Sequence, residues 1–231
     1  MINPPAIFGL TVLAALWATA AGAQSPSAST QPAAEASEST LRLTTNTADG
    51  DTGLWYVPTA EVLARGKWSA GVYRTGINYR EGFTAVSDFP LTFGIGVSNR
   101  VELFGSFKAV TRIDRDIREV FTSDPKVGGV VGQYPFVKQG WSGSQLGDFS
   151  LGAKFNLMSE ADEKPAALAV RGMVKLPTGD KETGVSTGKL DGIFDLIVSK
   201  DAGRMVELSG YGGAVLRGQP DGASASNALR Y

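Results

Sequence analysis

The side chains available for chemistry in this 231-residue chain form a short set, because it contains no cysteine and no histidine. That removes thiol and imidazole nucleophiles, disulfides, the Ser-His-Asp arrangement and most zinc or haem sites together. Carboxylate, ammonium and guanidinium groups remain, and an enzymatic base would have to be a carboxylate or a lysine. Seven such groups fall at the polar positions of segments that alternate polar and apolar residues: Glu102, Lys108, Lys154, Arg171, Lys175, Asp195 and Glu207. Four are positive and three negative. They are expected to line an interior, pairing across strands or facing water, and no catalytic, cofactor-binding or metal-ligating set is expected among them.

Three other motifs invite chemistry and do not support it. Leu176-Pro177-Thr178-Gly179 lacks the residue between Pro and Thr that a sortase signal needs. Gly184 to Lys189 suggests a phosphate-binding loop, but its spacing is wrong, and Leu190 stands where a hydroxyl must meet Mg²⁺. Asp114, Arg115, Asp116, Arg118 and Glu119 form a dense charge run, which reads as a solvated, self-paired loop surface, with a ligand or calcium contact as the sharper alternative.

The elements that must position the seven ionisable residues are strands. From Leu91 to Phe107, LTFGIGVSNRVELFGSF, the residues Leu91, Phe93, Ile95 and Val97 alternate with Thr92, Gly94, Gly96 and Ser98. After Asn99-Arg100, Val101, Leu103, Gly105 and Phe107 alternate with Glu102, Phe104, Ser106 and Lys108. A period of two on both sides of a two-residue link predicts a tight hairpin. Large aliphatics opposite Gly, Ser, Thr and charges suit a sheet with lipid outside and a wet or ion-paired interior. The same alternation predicts strands at 68–75, 148–157, 165–176, 191–199 and 205–216, seven in all. Their connections sort into short ones (Asn99-Arg100, 158–164, 201–204) and long ones (76–88, 111–147, 177–190). Such sorting matches transmembrane β-barrels, with short periplasmic turns and long external loops.

The ends differ from this body. Residues 1–23 read as an export signal: Ala6 to Ala20 is apolar and too short to span a bilayer, Ala21-Gly22-Ala23 fits cleavage, and MINPP lacks the usual basic residue. Residues 24–51 read as a disordered linker. Residues 52–67 read as a periplasmic entrance or plug segment, with Thr59 capping a short helix through Leu63. Its apolar knot Leu54-Trp55-Tyr56-Val57 either packs against the bottom of the barrel or plugs the lumen. Residues 68–231 form the expected barrel. Asn227 to Tyr231 reads as the start of an eighth strand, so the barrel is expected to be incomplete at the C-terminus. Hydrophobic content of 42% fits no set of apolar spanning helices, 29 glycines suit turns and close strands, and a net charge of −1 argues against nucleic acid.

The stretch Lys175 to Lys200, with Leu176, Pro177, Thr178, Gly179, Asp180 and the later Gly188-Lys189, resembles the putative transporter family named for the meta pathway of phenol degradation. The resemblance covers about the last 85 residues well and the hairpin at Asn99 loosely. It implies an antiparallel up-and-down outer-membrane β-barrel, with no catalytic residues to carry over. The expected function is a porin-like passive channel or transporter for small solutes; the alternative is a closed, OmpA-like structural barrel tying the outer membrane to the wall. The expected partners are outer-membrane lipid, the barrel-insertion machinery and small solutes, with no cofactor.

Overall fold

The computed structural model describes residues 45–79, 84–114, 136–137, 141–203, 206–222 and 224–231. The expected export signal, the linker up to residue 44 and the charge run beyond Asp114 lie outside these. The fold is all-β. A two-residue hairpin, β1 (Gly53–Leu54) and β2 (Val57–Pro58), precedes one large antiparallel sheet. That sheet contains β3 (Trp68–Val72), β4 (Thr75–Tyr79), β5 (Thr84–Ser98), β6 (Val101–Asp114), β7 (Gly143–Met158), β8 (Ala167–Leu176), β9 (Asp191–Ala202), β10 (Val206–Arg217) and β11 (Ala228–Arg230). Its order is β11-β10-β9-β8-β7-β6-β5-β3, with β4 also pairing β5. Each long strand therefore pairs with its chain neighbours, as an up-and-down meander must.

Asn99-Arg100 links β5 to β6, and a bulge between Gly96 and Ser98 tightens that turn. Several boundaries differ from the sequence reading. The strand expected at 68–75 is two strands, broken at Tyr73-Arg74, and both pair with β5. Most of the loop expected at 76–88 is strand instead, because the 15-residue β5 offers its whole backbone as a partner to residues of weak alternation. No helix follows Thr59. The amides of Ala60 and Leu63 donate to Ser199 Oγ and Glu102 Oε2 rather than to helical carbonyls. The eighth strand is present as β11, which covers only Gly213 to Val215 of β10. Among the described residues no pairing joins β3 to β11, so the sheet is open.

The two faces are as unlike as the alternation requires. On β5, Leu91, Phe93, Ile95 and Val97 are exposed while Thr92, Gly94 and Gly96 are buried. On β9, Phe194 and Leu196 are 58% and 49% exposed, while Asp195 and Ile197 between them are 5% and 0%. Most large apolar side chains thus face outward, and the ionic and small ones face inward together with Phe104, Met173 and Ile197. Among the described residues no helix is long and apolar enough to cross a membrane, which says nothing of strands.

The inward face is curled, which follows from reach. Asp49 lies 3.8 Å from Arg230 on β11, while the carbonyl of the next residue, Gly50, abuts Gly94 on β5. On a flat sheet strands six places apart would be about 29 Å apart, well beyond an arginine's length. The sheet wraps around the segment that precedes it.

Candidate functional site

The wrapped segment runs from Asn46 to Lys67 and is called the strap below. Its beginning was read from sequence as linker, yet Asn46, Thr47 and Asp51 are all buried, as is Thr52 at the start of the next segment. Part of its backbone pairs within the strap, Thr47 N–H donating to the Asp51 carbonyl at 2.7 Å, Ala48 N–H to the Trp55 carbonyl at 2.7 Å and Thr59 N–H to the Thr52 carbonyl at 3.1 Å. The remaining buried amides and carbonyls must be satisfied by the sheet. They are. Thr52 N–H donates to Glu102 Oε1 at 2.8 Å, Ala60 N–H to Ser199 Oγ at 2.8 Å, and Gly66 N–H to the Gly96 carbonyl at 2.8 Å. The Ala60 carbonyl accepts from Asn156 Nδ2 at 2.8 Å and the Pro58 carbonyl from Ser209 Oγ at 2.9 Å. Asn46 Nδ2 donates to Thr92 Oγ1 at 2.8 Å. Polar contacts therefore reach every long strand from β5 to β10, β8 being joined through Arg171. Around Ala60 the strap closes a small apolar patch of Ala167, Ala169 and Ile197, flanked by Tyr211.

Close approach of strap to sheet needs missing side chains, most tightly at two places. A Cβ on Gly96 would sit 2.2 Å from the Ala64 carbonyl oxygen. Gly50, at φ +109°, would put a Cβ 2.4 Å from the Gly105 carbonyl oxygen. Both contacts are to backbone, which cannot turn aside. At the strap's hairpin, Leu54, Trp55, Tyr56 and Val57 are exposed, and Trp55, at φ 57°, holds the turn with its ring 6.4 Å from Tyr73.

The centre of the site is one cross-strand row. Gly96 pairs with Glu102, Glu102 with Lys154, Lys154 with Arg171, Arg171 with Asp195, Asp195 with Gly213, and Gly213 with Arg230. Four of the seven sequence-predicted residues, Glu102, Lys154, Arg171 and Asp195, thus stand side by side and buried. The order is anion, cation, cation, anion. Two like charges directly opposite each other are destabilising, and more so without water. The strap resolves the conflict by inserting Asp51 between them. Its Oδ2 accepts from Lys154 Nζ at 3.2 Å and its Oδ1 from Arg171 Nη1 at 3.0 Å. Arg171 also donates through Nε and Nη2 to Asp195 Oδ2 at 2.9 and 2.6 Å. Lys154 donates to the Thr52 carbonyl at 2.8 Å and lies 3.5 Å from Glu102. Asp49 adds a second strap carboxylate, 3.6 Å from Arg171.

The other three predicted residues lie apart from this row. Lys175 forms its own cluster with Asp191 at 2.6 Å and Asp148 at 3.4 Å. Lys108 is exposed, opposite a bulge where β7 carries one extra residue. Glu207 is exposed on β10, paired in register with Asp201. Sequence reasoning missed Asp49, Asp51 and Arg230. The only local signal was Asp-Gly-Asp just before the apolar knot, and it stood in a stretch whose composition reads as linker. Among the described residues no three His, Cys, Asp or Glu side chains are grouped to hold a metal. The chemistry of the site is charge neutralisation.

The end of the sheet with the long connections is tied down separately. Thr178 Oγ1 donates to the Gly147 carbonyl and accepts from Phe149 N–H, and Gly179 N–H donates to Asp148 Oδ1 at 3.1 Å. Asp221 joins this loop to the next one, accepting from Lys189 Nζ at 2.8 Å and Lys181 Nζ at 3.1 Å. The Lys189 and Lys181 hydrogen bonds hold its carboxyl below the usual value of 3.8. With the folded value depressed, the tie is fully present above pH 3.8 and is lost as pH falls through the lower folded-state value. An NMR titration of the Asp221 carboxyl carbon is expected to show a midpoint below 3.8, moving up in Lys189→Gln. A midpoint unchanged by that substitution would dissolve the link.

No protein-family model matches the chain, and no curated protein or solved structure matches it.

Proposed function

We propose that this chain is an outer-membrane β-barrel protein whose interior is occupied by its own strap. The observation that carries this reading is the inverted distribution of side chains: the ionic residues Glu102, Lys154, Arg171 and Asp195 lie buried inward while most large aliphatics of the long strands face outward. A water-soluble domain seldom exposes a continuous apolar patch beyond about 300–600 Å². The outward residues of β5 to β10 make a far longer band, and lipid is the solvent in which such a band is stabilising. Strands can cross lipid only if their edges are paired, so the reading includes closure between the β3 and β10–β11 sides. The sorting of connections into short and long sets at opposite ends supports the same reading, as does the resemblance at Lys175 to Lys200.

With the strap in place, the interior at the level of the ion row is filled, which favours the sealed structural barrel as the state described above. The porin-like channel for small solutes is the second reading, which an interior lined by ionic rather than apolar side chains permits. Partners under either reading are outer-membrane lipid and the barrel-insertion machinery.

The test is location and topology. The protein is expected to fractionate with outer membranes and to migrate differently in detergent gels before and after boiling. In whole cells a cysteine at Asn99 is expected to resist a membrane-impermeant thiol reagent, and one at Ser224 to label. Recovery as a soluble periplasmic protein would overturn the proposal, and reversed labelling would overturn its orientation.

A further inference from the structure

We propose that the strap is an internal gate, and that Asp51 stands in for a small organic carboxylate at a site made by Lys154 and Arg171. This rests on reading the wrapped side of the sheet as a barrel interior. Three observations carry it. First, Lys154 and Arg171 are direct cross-strand neighbours of like charge, a destabilising arrangement in a buried site that an anion between them relieves. The sheet itself supplies none there: Glu102 and Asp195 stand on the outer sides of the pair, and the bridging carboxylate comes from a different part of the chain, held by non-covalent contacts alone. Second, the cations continue toward solvent. Asp49, about one-third exposed, lies between Arg171 at 3.6 Å and Arg230 at 3.8 Å, and Arg230 is itself 21% exposed. Arg230, Arg171 and Lys154 thus form a graded cationic path from partly exposed to fully buried. Third, the strap's Asp49 and Asp51 occupy successive positions on that path, as one dicarboxylate or two monocarboxylates would.

A free carboxylate presents the same two oxygens as Asp51 and can accept the same bonds from Nζ and Nη1. It gains access only if the strap withdraws, so the strap excludes solutes that cannot replace its charges. Cations and neutral solutes would leave Lys154 with Glu102 alone and Arg171 with Asp195 alone, with no anion between the two cations, and carboxylates would restore the bridge. The gate is therefore selective by the charge it leaves behind.

Two experiments on the full chain test this. In detergent, Asp51→Ala is expected to lower Tm, and sodium formate is expected to restore most of the loss where equal sodium chloride does not. Adding Arg171→Gln to the variant is expected to abolish that rescue. Equal effects of formate and chloride on folded Asp51→Ala would overturn the carboxylate site. The second experiment keeps Asp51 and so does not depend on that variant folding. Ser199 Oγ lies 2.8 Å from the Ala60 amide, and the chain has no native cysteine, so Ala60→Cys with Ser199→Cys places a latch between strap and sheet. In planar bilayers the reduced double variant is expected to pass formate and acetate in preference to sodium, and the oxidised one to be silent. Silence in both states would overturn the gate while leaving the membrane-barrel reading intact. Failure to enter bilayers or outer membranes at all would instead remove the barrel reading on which the gate depends.

Discussion

Arg171→Met is expected to destabilise the protein by about 3–5 kcal/mol, the cost typical of removing one member of a buried ion pair. Among the described residues Arg171 is the one cation that touches both Asp51 and Asp195, and it does so with three different nitrogens. Its loss strands carboxylates that are fully buried, with only Lys154 left near Asp51 and only Arg230, at 3.5 Å, near Asp195. The penalty is mostly the desolvation of those anions rather than the loss of attraction. Two comparisons separate this from simple loss of packing. Arg171→Lys keeps the charge but cannot reach both partners with a planar fork, so an intermediate loss is expected. Arg171→Met combined with Asp51→Asn is expected to cost less than the sum of the single changes, because one of the two stranded charges is gone. Urea unfolding in detergent, followed by tryptophan fluorescence, reads all three. A loss under about 1 kcal/mol for Arg171→Met, the level of an exposed pair, would mean that the row is hydrated and the strap loosely held.

Leu196→Arg is expected to cost about 2–4 kcal/mol in lipid and to impair membrane assembly. The magnitude is what makes this substitution informative. Leu196 is 49% exposed and lies mid-strand on the outward face of β9, and in water such a change is usually worth no more than about 0.5 kcal/mol either way. Its neighbour Ile197 is fully buried on the inner face, so an arginine there would be destabilising in any solvent and would decide nothing. Refolding yield into lipid vesicles, against stability of the same variant in a soluble state, is the measurement. A neutral effect in vesicles would place the apolar face against something other than a bilayer.

Arg171 and Asp51 also mark how far the sequence alone could be read. The alternation Ala167, Ala169, Arg171, Met173 against Leu168, Val170, Val174 assigns Arg171 to the inner face without any structure, because side-chain direction in a strand has a fixed period of two. The same period assigns Glu102, Lys154 and Asp195, the hairpin at Asn99, and the contrast between the two faces. These properties are local, and composition at alternate positions determines them. Register is not local. That Lys154 stands directly opposite Arg171 depends on how β7 and β8 align, including a shift between Asn156 and Met158 that no alternation reveals. The place of Asp51 is less local still. Residues 46–51 carry no periodicity and few apolar side chains, so nothing near them announces burial; only the curled sheet of strands remote from them in sequence creates the cationic pocket that takes them in. The sequence by itself determined which charges face inward. The tertiary structure decided that two like charges would meet and that the strap would have to separate them, because Coulomb energy depends on distances that only long-range pairing sets.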